Sequence, residues 1–120
     1  MKVAARGFFW TGLVMMSVAI AGCRDYPPPT PLSQLNAKQR AGHGVFQVRC
    51  GECHYDRQEG SLHGPSLMSL YKKPYLPSGA PANDERVSAT VLHGRNMMPA
   101  MGDSLGPGDL DNLLAYLHTL

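Results

Sequence analysis

The segment that decides the fold of this chain is Cys50–His54, which reads CGECH. Two cysteines separated by two residues and followed at once by histidine form the attachment signature of a c-type haem. In a tight helical turn, two thiols three positions apart reach the two vinyl groups of one porphyrin, and the next imidazole lies over the iron. We therefore predict one covalent haem, with thioethers at Cys50 and Cys53 and His54 as an axial ligand.

Three other uses of this motif compete with haem attachment. A thioredoxin-like redox pair needs a surrounding βαβ pattern, which the sequence lacks. A structural zinc site needs about two more ligands at paired spacing, and no second cysteine pair follows. A disulfide between Cys50 and Cys53 would leave the adjacent His54 without a role. The haem interpretation uses all three residues.

The second axial ligand is expected downstream, in a methionine-rich segment. Residues 95–101 read RNMMPAM and lie between Gly94 and Gly102, so the pattern predicts a loop. A thioether opposite histidine favours ferrous iron and raises the reduction potential. The candidates are Met97, Met98 and Met101, and the rivals among the histidines are His63 and His93.

Helical patterns surround the motif, and no strand pattern is convincing, so the chain is predicted to be all-α. A first helix begins after Asn36, with Gln39 completing a capping-box variant, and runs to about residue 49. Gly42 inside this helix costs about 1 kcal/mol relative to alanine, so a close helix crossing is expected there.

Two further helices are predicted toward the C-terminus, and a short turn is possible at residues 67–71. Residues 84–93 form a helix with Asn83 as N-cap and Gly94 just beyond its end. The last helix is expected over residues 107–120, with Pro107 at its first position and Asp109 at its third. Its leucines recur at helical spacing (Leu110, Leu113, Leu114 and Leu117), and Tyr116 is expected to cross near Gly42 and Phe46.

From about residue 36 onward the chain resembles the class I cytochromes c, small monohaem proteins in which three to four helices wrap a covalent haem. Gly42, Phe46 and Cys50 stand four residues apart, as in that family's N-terminal helix. Residues 64–67 (GPSL) match its G-P-x-L loop. The resemblance implies that the Pro65 carbonyl accepts a hydrogen bond from the axial histidine and that Leu67 lines the haem.

The resemblance also selects among the methionines. In that family the ligand is the methionine before a proline in the loop that precedes the C-terminal helix, which implies Met98, followed here by Pro99. Met97 and Met101 are then expected at neighbouring packing positions. The doubled methionine departs from the family pattern and leaves a one-residue ambiguity between Met97 and Met98.

The N-terminal segment is interpreted as a targeting signal. Lys2 and Arg6 precede an uncharged apolar run over residues 7–22, as in a secretory signal. Residues 20–23 (IAGC) resemble the lipobox of bacterial lipoproteins, which implies cleavage after residue 22 and a lipid on Cys23. The alternative is an uncleaved membrane helix. Residues 23–35 hold four prolines in five positions and predict a stiff spacer of about 3 Å per residue. The haem domain is predicted over residues 36–120.

Charge and composition narrow the possible functions. Without residues 1–22 the chain has nine basic and nine acidic residues, which gives no support for nucleic-acid binding. We expect an electron carrier with His/Met ligation, tethered to a membrane and facing the periplasm or cell exterior. Its partners would be redox proteins of a membrane respiratory chain, and it could be a subunit of a larger complex. The alternative is a haem enzyme or gas sensor with an open sixth position.

Overall fold

The structure, a computed structural model, describes residues 25–120, and the predicted signal segment and Cys23 lie outside these residues. It contains three α-helices, α1 (Ala37–Arg49), α2 (Asp84–His93) and α3 (Asp109–Leu117), with three short 3-10 turns at Leu32–Gln34, Leu70–Lys72 and Gly102–Ser104. Within residues 25–120 there is no β-strand, only three isolated bridges. The all-α prediction is confirmed. None of the helices in this part of the chain combines the length and apolar character needed to cross a bilayer.

Helix α1 begins with the predicted capping box. The Asn36 side chain accepts a hydrogen bond from the Gln39 backbone N–H at 2.9 Å, and the Asn36 N–H donates to the Gln39 side chain at 2.9 Å. Two amide groups at the helix start are thereby satisfied. This cap sets where α1 begins, so it also sets where its other end presents Cys50.

The packing of α1 against α3 is the main contact between helices in the described residues. Gly42 is buried in this crossing, and a Cβ atom there would lie 1.8 Å from the Asn112 carbonyl oxygen of α3. Phe46 and Tyr116 meet in the same crossing, with ring centroids 5.9 Å apart. The predicted close approach is confirmed, and it explains why a glycine occupies the middle of a helix.

The hydrophobic core draws on every part of the fold. Its members are buried side chains from the N-terminal segment, all three helices, the Leu70 turn and the C-terminus: Leu35, Phe46, Leu70, Val87, Val91, Leu113, Tyr116, Leu117 and Leu120. Val87 and Val91 come from one face of α2, four residues apart. Half-buried side chains, including Cys50, Leu67 and Met98, pack against this cluster. Three of the residues predicted to surround the haem therefore pack on one core.

Helix α3 begins later than predicted. Its first residue is Asp109, and its N-cap is Gly108 with φ = +81°. The expectation of Pro107 at the first helical position is wrong, because a left-handed Gly108 turns the chain before the helix starts. The Asp109 carboxylate instead accepts a hydrogen bond from the Gly106 N–H at 2.8 Å. Helix α2 follows its prediction, with Asn83 as N-cap and Gly94 ending it at φ = +73°.

The proline-rich segment differs from the predicted stiff spacer between the membrane and the domain. The Thr30 N–H donates to the Thr119 carbonyl at 2.8 Å, and Lys72 donates to the Pro27 carbonyl at 2.8 Å. Leu35 is buried in the core. Residues 27–35 thus lie along the domain, and the expected spacer is wrong for them. These contacts join positions 45 to 89 residues apart, which composition alone does not report.

Candidate haem site

The attachment motif forms a tight turn at the C-terminal end of α1. Cys50 caps the helix, and its N–H donates to the Phe46 carbonyl at 2.8 Å. The Cys50 carbonyl then accepts hydrogen bonds from the N–H groups of Cys53 and His54, at 3.0 and 2.9 Å. This is the turn that the C-x-x-C-H spacing requires, and both cysteines are free and half-buried in it.

The surroundings of Cys50 argue against a redox pair, and the lack of further ligands nearby argues against a zinc site. Burial, and secondarily the neighbouring Cys53, raises the pKa of the Cys50 thiol to about 11. A thiol that stays protonated at neutral pH is a poor redox nucleophile. Within residues 25–120 no three His, Cys, Asp or Glu side chains converge as a metal site would need. Both thiols are free for thioether formation.

His54 is held by the loop that the sequence analysis paired with it. Its Nδ1 lies 2.7 Å from the Pro65 carbonyl oxygen. A carbonyl can only accept, so Nδ1 carries the proton and Nε2 is left as the metal-binding nitrogen. An acceptor for the N–H of the other ring nitrogen fixes both the tautomer and the orientation of an axial imidazole. The expected hydrogen bond from His54 to Pro65 is present.

The backbone of this loop also shapes the space for the ring. Gly64 donates to the Cys53 carbonyl at 2.7 Å, which ties the loop to the attachment turn. A Cβ atom at Gly64 would lie 2.4 Å from Cε1 of His54 and 2.8 Å from its Nδ1. Glycine is therefore required at this position, because any side chain would displace the imidazole.

The methionine loop is rigid on both sides of Met98. The N–H of Arg95 donates to the Met98 carbonyl at 3.0 Å, and the N–H of Met98 donates to the Arg95 carbonyl at 2.9 Å. Asn96 completes this turn with a left-handed φ of +52°. Beyond the turn, the Met101 N–H donates to the Val91 carbonyl of α2 at 2.8 Å. Backbone hydrogen bonds therefore fasten this loop at both ends.

The three methionines have different surroundings. Met98 is half-buried and packs against the core, and so does Met101. Met97 is 97% exposed, so the packing role expected for it is wrong. The tight turn explains the difference, because it sends consecutive side chains in different directions. His63 and His93 are both exposed, and Met98 stays the best candidate for the second ligand.

Asp56, just after the motif, was not among the residues predicted from the sequence. The Tyr116 hydroxyl of α3 donates to the Asp56 carboxylate at 2.6 Å. Burial, and then the Asp56 hydrogen bond, raises the pKa of Tyr116, so the phenol stays a neutral donor. Asp56 lies two residues after His54, and this bond braces the attachment turn on α3. A contact across 60 residues leaves no local signal in the sequence.

The donor set fits a covalent haem. The attachment turn holds two free thiols and an imidazole with its Nε2 available, and the half-buried thioether of Met98 packs on the same core as Cys50. The sequence profile of the family described as cytochrome c oxidase, cbb3-type, subunit III matches residues 37–117. The chain belongs to this family of c-type cytochromes. The match covers all three helices, the attachment turn and the methionine loop.

Two kinds of relative support the assignment, cytochromes c6 and a subunit of a cbb3-type oxidase. The chain is 31% identical to cytochrome c6 of Picosynechococcus sp. over 84 residues, which cover 68% of this chain and 72% of that protein. It is 28% identical to cytochrome c6 of Diacronema lutheri over 76 residues, covering 63% and 88%. It is 29% identical to the cbb3-type oxidase subunit FixP of Sinorhizobium medicae over 90 residues, covering 67% of this chain but only 29% of FixP.

Family membership and donor set agree on the cofactor. This cytochrome carries a covalently bound haem c with iron, and its function is electron transfer. Cys50 and Cys53 are the residues that would bind the porphyrin, and His54 is the residue that would bind the iron on one side.

Proposed function

We propose that this cytochrome is a carrier with His54 and Met98 as axial ligands, tethered to a membrane outside the cytoplasm. The observation that carries the ligation is the 2.7 Å contact from His54 Nδ1 to the Pro65 carbonyl. It leaves Nε2 as the only ring nitrogen able to bind iron, and it holds the ring in one orientation. Half-buried Met98, in a loop fastened at both ends, supplies the second ligand.

The residues of the chain then determine what the haem can do. When bound, the haem supplies one-electron exchange between ferric and ferrous iron. The hydrogen bonds that fasten His54 and the Met98 loop would hold both side chains in place in either state of the iron, which favours transfer without bond formation. A neutral thioether opposite histidine stabilises the reduced state and raises the potential.

The experiment that tests this ligation is carbon monoxide binding. With both axial positions filled, the ferrous protein should bind carbon monoxide slowly or not at all after rapid mixing. The Met98→Ala protein should bind it at once and serves as the positive control. Rapid binding by the unmodified protein would replace the carrier with a haem enzyme or gas sensor that has an open sixth position.

A second candidate is a haem subunit of a larger membrane oxidase. It is favoured by the family profile, which bears the description of an oxidase subunit, and by the likeness to FixP. The haem chemistry would be the same, and only stable association would differ. Purification from detergent-solubilised membranes distinguishes the two, because a subunit co-purifies with its complex at constant ratio and a free carrier does not.

The proposed tether is a lipid on Cys23, with the chain facing the periplasm and its partners among respiratory redox proteins. Support comes from the sequence alone, where the IAGC segment follows the apolar run. Mass analysis of the mature protein should find Cys23 at the N-terminus with acyl chains. If residue 1 is retained without acyl chains, an uncleaved membrane helix takes the place of the lipid.

A further inference from the structure

The segment Pro27–Leu35 lies on the haem domain as a strap, held by its backbone. Lys72 donates to the Pro27 carbonyl at 2.8 Å, and the Thr30 N–H donates to the Thr119 carbonyl at 2.8 Å. Backbone bonds of this kind do not depend on which side chains the strap carries. They fasten it to the turn before α2 and to the C-terminus after α3.

Arg57 clamps the middle of the strap, and Leu35 fixes its far end. The Arg57 guanidinium donates to the carbonyl oxygens of Thr30 at 2.5 Å and Pro29 at 3.4 Å, and the side chain is partly buried there. A charged donor in a partly buried setting makes a stronger hydrogen bond than an exposed one. Leu35 is 3% exposed within the core. The strap cannot leave the domain without uncovering both groups.

The strap shortens the free connection to any anchor at the N-terminus. A spacer over residues 23–35 would span about 40 Å as polyproline II. With Pro27 already fixed to the domain, only four residue steps separate it from Cys23, and a fully extended chain covers at most about 14 Å in four steps. An anchored domain therefore cannot swing freely at the end of a long arm.

We propose that the strap holds the domain against the bilayer in one orientation, with the face around the start of the strap on anionic lipid headgroups. We call this surface the strap-entry face and define it by Tyr26, Lys72 and Lys73. The inference rests on the proposed membrane anchor, but it needs only that the anchor ends near Cys23, as both a lipid and an uncleaved helix would.

The chemistry of the strap-entry face suits a lipid surface. Lys72 is bound to Pro27 itself, and the exposed Lys73 follows it in the chain. Cationic side chains close to a bilayer are attracted to anionic headgroups within a Debye length. Tyr26 is half-buried one residue before the strap, and tyrosine is a residue that favours the membrane interface. Asp25 offsets one of these charges, so the attraction supplements the short tether.

The test uses the haem-loaded chain beginning at Cys23. In this protein Cys50 and Cys53 are consumed as thioethers, so Cys23 is the single thiol and can be coupled to a maleimide phospholipid. The protein is attached to a supported bilayer of phosphatidylcholine with one-fifth phosphatidylglycerol (about 20%, a working composition that provides a negative surface). Polarised absorption of the haem band then reports orientation. We expect clear dichroism, because a fixed domain holds every haem plane at one angle.

Two pairs of variants, each with its own control, make the test specific. Inserting eight Gly/Ser residues between Asp25 and Tyr26 lengthens the tether and leaves the strap intact, so the dichroism should fall several-fold. The same insertion in the exposed Ser78–Gly79 turn should leave it unchanged. Lys73→Glu should reduce it on the anionic bilayer, whereas Lys38→Glu on α1 should not.

Two outcomes would overturn the proposal. One is an isotropic haem signal for the unmodified chain, and the other is dichroism that survives the lengthened tether. Because the lipid is attached chemically, either result is independent of whether the cell lipidates Cys23. Mass analysis of the mature protein answers that separate question.

Discussion

At His54 a single hydrogen bond determines which ring nitrogen is available to a metal. Nδ1 lies 2.7 Å from the Pro65 carbonyl and must donate, so Nε2 is left for iron. The imidazole also needs the absence of a side chain at Gly64. Identity at these positions matters atom by atom, and we expect the same of Met98, the proposed second ligand.

The methionine loop allows a three-variant prediction at the residue scale. Met98→Ala should abolish the weak sulfur-to-iron charge-transfer band of the ferric protein and lower its potential. Met97→Ala should change neither the band nor the stability, because its side chain is 97% exposed. Met101→Ala should keep the band but lower the free energy of unfolding, by about 2 kcal/mol or less for a partly buried side chain.

Near-infrared absorption and denaturant unfolding of the three holoproteins check these outcomes. Loss of the band in Met97→Ala, with retention in Met98→Ala, would move the ligand by one residue. Retention in both would direct attention to the exposed histidines His63 and His93.

At the scale of elements, the crossing of α1 and α3 requires a glycine at position 42 but not at position 44 of the same helix. Gly42 faces the Asn112 carbonyl, which a Cβ atom would approach to 1.8 Å. Gly44 has nothing within 4 Å of such an atom and is exposed. The two positions lie on one helix, so the intrinsic helix propensity of the substitution is the same for both.

The matched substitutions should therefore have opposite signs. Gly42→Ala should destabilise the holoprotein by about 1–3 kcal/mol or more, because it forces the helices apart. Gly44→Ala should stabilise it by about 0.5–1 kcal/mol, because alanine loses less backbone entropy in a helix. Guanidinium unfolding midpoints measure both. Equal effects at the two positions would mean that the helices do not cross at Gly42.

A polar cluster joins α2 to the end of α3. His118 lies 2.8 Å from the Asp84 carboxylate and stacks on Tyr71, with ring centroids 3.7 Å apart. The Tyr71 hydroxyl, and more weakly His118, lowers the pKa of Asp84, while desolvation opposes them. Within residues 25–120 this hydroxyl makes no hydrogen bond of ordinary geometry, so it acts on the carboxylate as a nearby dipole.

This cluster gives a pH prediction. A carboxyl whose pKa is lowered on folding contributes stability above its unfolded pKa of about 3.9 and loses that contribution as the pH falls through its folded value. Asp84→Asn should therefore lower stability at pH 6 and converge with the unmodified protein as the pH falls well below 4. Glu85→Gln is the control, because Glu85 and Arg86 are exposed and 3.9 Å apart. A difference that persists unchanged at low pH would contradict the assignment.

At the scale of the whole molecule, the core is small for a folded domain. Nine hydrophobic side chains are buried among residues 25–120, and Phe46 and Tyr116 are the aromatic ones. Small domains are marginal without an additional staple. The covalent haem supplies that staple, since the half-buried Cys50, Leu67 and Met98 pack on the same core.

Removal of the haem attachment should therefore unfold the domain. The protein with Cys50→Ala and Cys53→Ala should lose most of its helical circular dichroism at 25 °C, because the apolar surface facing the porphyrin is left uncovered. The Val48→Ala protein is the control, since Val48 is 74% exposed and its change should leave the holoprotein helical. A stably helical apoprotein would show that the core suffices without haem.

Local sequence patterns were sufficient for the parts of this molecule that depend on neighbours in the chain. The haem motif, the Asn36 capping box and the bounds of α1 and α2 follow from residues a few positions apart. The start of α3 was missed because Gly108 takes a left-handed φ, which a proline two residues before the helix does not signal. Family resemblance supplied the pairing of His54 with Pro65, which no local pattern contains.

Tertiary structure decided which chemically similar residues differ in role. Met97 and Met98 are adjacent and identical in type, yet one is exposed and the other packs on the core, because the Arg95–Met98 turn separates their directions. The proline-rich segment has the composition of a spacer, and only contacts from Arg57, Lys72 and Thr119 make it a strap. Such contacts join distant positions, and their free energy depends on geometry that no stretch of sequence contains.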